Sequence, residues 1–171
     1  MIMKADAIVF TSNTGFTAEY ARMLGNKTGL PVYSLTDAAK SLAQGSRILY
    51  LGWLMAGKVQ GYNKASEKYK ISAVCGVGMG ASGTQISDVR KANAISGSMP
   101  VFTLQGGFEM EKLSGIYKFM MKTIKKTMGK KLADKKDRTA DENDMLDLIM
   151  NGGSRVSESN LGEVLKWFEA E

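Results

Sequence analysis

Two hydrophobic periods alternate along most of this chain, and that alternation restricts its fold more than any other feature. Strand-length apolar runs recur: Ala5–Phe10, Pro31–Leu35, Arg47–Trp53 (RILYLGW), Lys70–Val77 (KISAVCGV) and Val101–Leu104. Within the longer runs apolar residues are consecutive, as in Ala7-Ile8-Val9-Phe10, instead of alternating with polar ones. A strand covered on both faces reads this way, whereas a half-exposed strand alternates. Between the runs, apolar residues return every third or fourth position, the period of an amphipathic helix. Such helices are predicted over Ala18–Lys27, Thr36 to about Ala43, Tyr62–Tyr69, Ile86–Ile95 and about Glu111–Gly129. The result is an α/β chain with a doubly wound open sheet of five parallel strands and helices on both faces. Its 171 residues suit one domain, with an extended C-terminal helical part at about 111–171. There, Thr139-Ala140-Asp141-Glu142 is expected to open a helix that ends at Asn151-Gly152-Gly153. Asn160 is expected to cap a last helix over Leu161–Ala170.

Composition removes whole classes of chemistry. The chain has no His and one Cys, which excludes Ser-His and Cys-His catalysis, His-ligated metal or haem, a CxxC pair and an intramolecular disulfide. Redox chemistry here therefore needs an organic cofactor. Cys75 lies inside an apolar run and reads as a core thiol. No window approaches 18 uncharged apolar residues, so no membrane span is expected. Met1-Ile2-Met3-Lys4-Ala5-Asp6 does not read as a leader. The expected location is cytoplasmic, with a peripheral position at a membrane left open.

The net charge of +6 is not spread evenly. Residues 112–138 hold ten basic and two acidic side chains, and residues 139–171 hold two basic and eight acidic. Within the basic segment Leu113, Ile116, Tyr117, Met120, Ile124 and Met128 form one expected core-docking face, with Lys118, Lys122, Lys125 and Lys126 on the rest. The helix at about 112–131 is thus a candidate for docking on an acidic protein or an anionic membrane surface. Nucleic acid is not an expected partner, because no binding motif is present and the next segment is acidic.

The first strand leads into Thr11-Ser12-Asn13-Thr14-Gly15-Phe16-Thr17 and then a helix. Hydroxyls and backbone N–H groups at a helix N-terminus can surround a phosphate. The loop has no Lys or Arg and is neither a Walker loop nor a GxGxxG turn. The plainer reading is a hydroxyl-rich helix cap. Two more loops fall beyond the carboxyl ends of the third and fourth strands, where open sheets bind ligands. These are Gly52-Trp53-Leu54-Met55-Ala56-Gly57-Lys58 and Gly76-Val77-Gly78-Met79-Gly80-Ala81-Ser82-Gly83. Glycines at that density suit a close approach of backbone to a flat ligand.

At these residues the sequence resembles the flavodoxin family. Ser12-Asn13-Thr14-Gly15-Phe16-Thr17 matches the family's [ST]-x-T-G-x-T phosphate loop. The resemblance implies a strand order of 2-1-3-4-5 and noncovalent FMN. Ser12, Thr14, Gly15 and Thr17 would hold the phosphate, and Asn13 and Phe16 would add amides. Trp53 or Met55 would cover one ring face and Met79 the other, with ordinary core packing the alternative for Trp53. Ala56-Gly57 stands where the family carries a peptide that can turn toward the flavin. The tail, YKFMMKTIKKTMGKK and then SRVSESNLGEVLKWFEA, is similar to a subgroup of FMN-dependent protoporphyrinogen dehydrogenases, with residues 131–153 as an insertion. The implied functions are electron transfer to a redox partner protein or quinone-type acceptor, or an FMN-dependent oxidoreductase. A flavodoxin-fold binding or regulatory protein without FMN is the third possibility.

Overall fold

The structure is a computed structural model that describes residues 3–170. Met1, Ile2 and Glu171 lie outside the described residues, and so does the opening of the segment read for a leader. From the first apolar run comes β1 (Ala7–Thr11), followed by α1 (Phe16–Thr28), β2 (Val32–Ser34) and α2 (Leu35–Ser41). Next are β3 (Arg47–Met55), a two-residue β4 (Lys58–Val59), α3 (Tyr62–Lys68), β5 (Lys70–Gly78), α4 (Ile86–Asn93) and β6 (Val101–Gln105). The last part holds β7 (Gly107–Phe108), α5 (Gly115–Asp134), α6 (Ala140–Asn151), β8 (Gly153–Ser154) and α7 (Gly162–Glu169).

The main sheet has the order β2-β1-β3-β5-β6, and these five strands are parallel. With β4 set aside as a hairpin strand on β3, this is the expected flavodoxin-like order 2-1-3-4-5. One register row runs Val9, Tyr50, Val74 and Val101 across β1, β3, β5 and β6. All four side chains are buried and pack with Ala38, Ala65 and Val89 of α2, α3 and α4. The adjacent row, including Ile8, Leu49 and Ala73, faces the opposite side. It packs with Tyr20 and Leu24 of α1 and Val164 of α7. Both faces are therefore covered, and period-2 geometry makes consecutive residues apolar. Cys75 is fully buried in that second layer, where burial pushes its thiol pKa up.

Helix α1 starts at Phe16, two residues before the expected start, because Gly15 takes a left-handed φ of +103° at its cap. Helix α6 opens on a capping box in which Thr139 Oγ1 accepts from Glu142 N–H and Glu142 accepts from Thr139 N–H. The expected cap at Asn160 is overturned. A short turn of 3-10 helix over Glu158–Leu161 puts that residue inside helical backbone, and α7 has no side-chain cap. Asn160 Nδ2 donates instead to Tyr20 Oη at 2.7 Å and to the Arg155 carbonyl at 3.0 Å.

The chain after β6 does not simply end in a covering helix. Strand β7 pairs antiparallel with β8, Phe108 opposite Gly153, so α5 and α6 leave and rejoin the domain at one small ribbon. That ribbon holds the helix pair above the carboxyl ends of the central strands. No helix among the described residues is long and apolar enough to cross a membrane.

Candidate functional site

The site forms where three loops of the sheet meet the α5–α6 pair. At the first loop Ser12 Oγ accepts from the N–H of Gly15 at 3.2 Å and of Ala18 at 3.3 Å. The N–H of Glu19 goes to the Gly15 carbonyl. The N–H groups of Phe16 and Thr17 have no acceptor among the described residues. These two donors sit in the first turn of α1, where the partial positive charge of a helix is concentrated.

The second loop is a tight hairpin. Leu54 pairs with Val59 and Met55 with Lys58, leaving Ala56 and Gly57 as the two turn residues at φ +49° and +77°. Two successive left-handed residues are the geometry of a type I′ turn. Glycine accepts it freely, whereas an L-alanine there is strained by about 1–2 kcal/mol. Asn93 of α4 clamps the turn: its Nδ2 donates to the Gly57 carbonyl at 2.9 Å and its Oδ1 accepts from Val59 N–H at 2.9 Å. Sequence reading missed β4. Its only signal was a two-residue spacer containing glycine, Ala56-Gly57, between Met55 and Lys58-Val59.

The third loop ends β5, and a strand neighbour bears on its first two glycines. Leu54 lies across them. A Cβ on Gly76 would come within 2.8 Å of Leu54 Cδ2, and one on Gly78 within 3.1 Å of Leu54 Cδ1. These glycines make room for a neighbouring strand's leucine. Gly83, at φ +82°, donates its N–H to the Thr103 carbonyl.

Between the loops lies a cavity of about 330 Å³, within the size range of small-molecule sites. Ser12, Asn13, Thr14, Phe16 and Thr17 line one end. Trp53, Leu54, Met55, Ala56 and Gly57 form one side, and Val77, Gly78, Met79 and Gly80 another. Five residues named from the sequence are not on the lining: Thr11, Gly15, Lys58, Gly76 and Gly83. Thr11 Oγ1 is bonded to Tyr50 Oη at 2.7 Å, and that phenol donates to the Gln60 carbonyl at 2.7 Å. Burial pushes the Tyr50 pKa up to about 12, so it stays a neutral donor.

None of the residues that roof the cavity was named as a site residue from the sequence. The roof consists of Leu113, Tyr117, Met121, Ile124 and Met128 from α5 and its approach, and Met145 and Ile149 from α6. Tyr117 meets Trp53 edge to face, with ring centroids 5.2 Å apart at 84°. The expected single apolar face of α5 is corrected here, because Ile116 and Met120 point to solvent and Met121 replaces them. Apolar residues occupy two sides of this helix, so spacing alone merged them. The signal that was available is the i, i+4, i+7, i+11 series of Tyr117, Met121, Ile124 and Met128.

The lining contains no Lys or Arg, and its one charged residue, Glu109, is paired with Lys112 at 2.6 Å. Gln105 and Arg155 fasten the roof from outside. Gln105 Nε2 donates to the Met79 carbonyl at 3.1 Å and to Asp144 Oδ2 at 2.6 Å. Arg155 Nε donates to Asp144 Oδ1 at 2.8 Å, and its other arm donates to Asp147 Oδ2 at 2.6 Å. No cluster of His, Cys, Asp or Glu suited to a metal ion occurs among the described residues. No protein-family model, curated protein or solved structure matches this chain.

Proposed function

We propose that the chain binds FMN noncovalently and serves as a flavodoxin-like electron-transfer protein. The observation that carries this is one continuous cavity joining a cation-free helix N-terminus to an apolar slot. The donor set fits the group. A phosphate at α1 would meet the free N–H groups of Phe16 and Thr17 and the hydroxyls of Thr14 and Thr17, while Ser12 fixes the loop through Gly15 and Ala18. A flat ring fits the slot between the Trp53–Gly57 hairpin and Met79. When bound, FMN supplies one- and two-electron redox chemistry. The protein's own residues orient it, exclude water with Leu54, Met79 and Tyr117, and present the Ala56–Gly57 peptide at the slot. The partner in this reading is a redox protein or a quinone-type acceptor, and the compartment is the cytoplasm.

A second reading, an FMN-dependent oxidoreductase, is favoured by the roof. A carrier needs only an exposed ring edge, whereas Met121, Ile124, Met128, Met145 and Ile149 enclose apolar space beyond the loops. Flexible methionines suit the walls of a chamber that adapts to an apolar substrate.

The deciding experiment is titration of the purified chain with FMN and with riboflavin. One FMN per chain is expected, with Thr14→Ala weakening FMN about tenfold and riboflavin much less. A chain that takes up neither supports the binding or regulatory alternative. Turnover of quinones or protoporphyrinogen by the FMN-loaded chain separates the oxidoreductase from the carrier.

A further inference from the structure

Helix α5 has a second apolar side that neither the cavity nor the sheet uses. Ile116 is 68% exposed, Phe119 71% and Met120 37%, and they stand at i, i+3 and i+4 on the side away from Tyr117 and Met121. One large exposed apolar residue is ordinary on a protein surface, but three adjacent ones on a helix are a patch. At 100° per residue, Lys126 and Lys130 continue the same outer side toward the C-terminus, and Lys122 flanks it.

The charges on this side are not neutralised within the molecule. None of the six lysines on α5 makes an ion pair among the described residues, and the helix carries one acid, Asp134, in its last turn. Three of the four acids of neighbouring α6 are engaged elsewhere, and the fourth, Asp141, stands in its first turn. Glu142 binds Lys135, while Asp144 and Asp147 bind Arg155.

We propose that the outer side of α5 docks on an anionic lipid surface. In that geometry Ile116, Phe119 and Met120 enter the boundary between headgroups and acyl chains, while Lys122, Lys126 and Lys130 meet lipid phosphates. Charge complementarity sets the sign of the surface. The apolar crest favours lipid, where Phe119 and Ile116 gain burial directly beside the anionic headgroups that the lysines meet. A helix of basic flanks and apolar crest lying in the interface plane is the general form of a peripheral membrane anchor. Each lysine near such a surface adds to the attraction, within about a Debye length. This inference stands apart from the cofactor: Ile116, Phe119 and Met120 do not line the cavity.

The test is co-sedimentation of the full chain with vesicles of pure phosphatidylcholine and of phosphatidylcholine with about one-third phosphatidylglycerol. Binding to the anionic vesicles, weakening as salt rises, is expected. The double variant Ile116→Ser/Phe119→Ser is expected to lose about tenfold or more in partitioning, and Lys122→Glu/Lys126→Glu a similar amount. All four positions are exposed, so the variants keep the fold, as circular dichroism and an unchanged thermal midpoint will verify. Absence of binding to anionic vesicles at low salt overturns the proposal. So does binding that depends on the lysines and ignores Ile116 and Phe119, which is electrostatic adsorption with no insertion of the apolar crest. Sedimentation is read without flavin, so failure here leaves the FMN reading standing.

Discussion

Gln105 at the end of β6 donates a 2.6 Å hydrogen bond to Asp144 of α6, and this is the shortest polar tie between the sheet and the roof of the cavity. The same carboxylate accepts from Arg155, whose backbone N–H donates to the Gly106 carbonyl. Asp144 thus joins strand, ribbon and helix. With Asp144→Ala, amide hydrogen exchange across α5 and α6 is expected to rise about tenfold while β1, β3 and β5 stay unchanged, since local opening samples the weakly fastened unit first. Uniform acceleration through the sheet would show that the roof has no separate opening.

Tyr50 gives a prediction with a pH sign. Its phenol has an ordinary pKa near 10 when unfolded and about 12 in the folded protein, because burial disfavours the phenolate. The neutral form is the stable one inside, so this contribution is fully present below pH 10 and is lost as pH rises toward 12. Tyr50→Phe is expected to remove that alkaline loss. It also strands the Gln60 carbonyl and the Thr11 hydroxyl, at a cost of about 1–3 kcal/mol in urea unfolding at neutral pH.

The hairpin turn predicts opposite signs at adjacent positions. Ala56→Gly relieves a left-handed alanine and is expected to stabilise by about 1 kcal/mol. Gly57→Ala puts a side chain at φ +77°, with its Cβ 3.4 Å from Ala92, and is expected to destabilise by about 1–2 kcal/mol. If FMN sits as proposed, Gly57→Ala also changes the gap between its two one-electron potentials. An unchanged gap by potentiometry would remove this turn from the redox role and leave its structural role intact.

Gly76 and Leu54 are expected to be coupled. Gly76→Ala drives a methyl to within 2.8 Å of Leu54 and should cost about 1–3 kcal/mol through overpacking. In the Leu54→Ala background the same change should cost far less, giving a double-mutant interaction of about 1 kcal/mol or more. Strict additivity would mean that Leu54 moves aside freely.

The sheet was legible because its cause is local. Ile8 and Val9 are adjacent apolar residues facing opposite buried layers, and the run that contains them states both facts. Gly76 shows where that reading stops. Its glycine was visible, but the leucine that requires it comes from β3, and a contact between distant segments leaves no spacing to read. In α5 the difficulty was one of excess. Apolar residues serve the cavity on one side and stand in water on the other, so a single face was inferred and Ile116 and Met120 were placed inward. Asn160 fits a cap by type, yet the 3-10 turn around it and the buried Tyr20 phenol give its amide other work. The loop at Ser12 was readable in place and composition, whereas Thr11 beside it faces the phenol of β3.

The β7–β8 ribbon has a consequence for how this molecule can vary. Phe108 and Gly153 are partners across it, so the chain departs and returns at almost one point. Everything from Glu109 to Gly152 is an appendix in the topological sense: it can be shortened, extended or exchanged without redrawing any strand order. Replacing it with a brief turn closes a short gap, and the entropy of closing such a loop changes only slowly with its length. The roof of the cavity is therefore carried by a segment whose length can change without altering the strand order of the sheet beneath it.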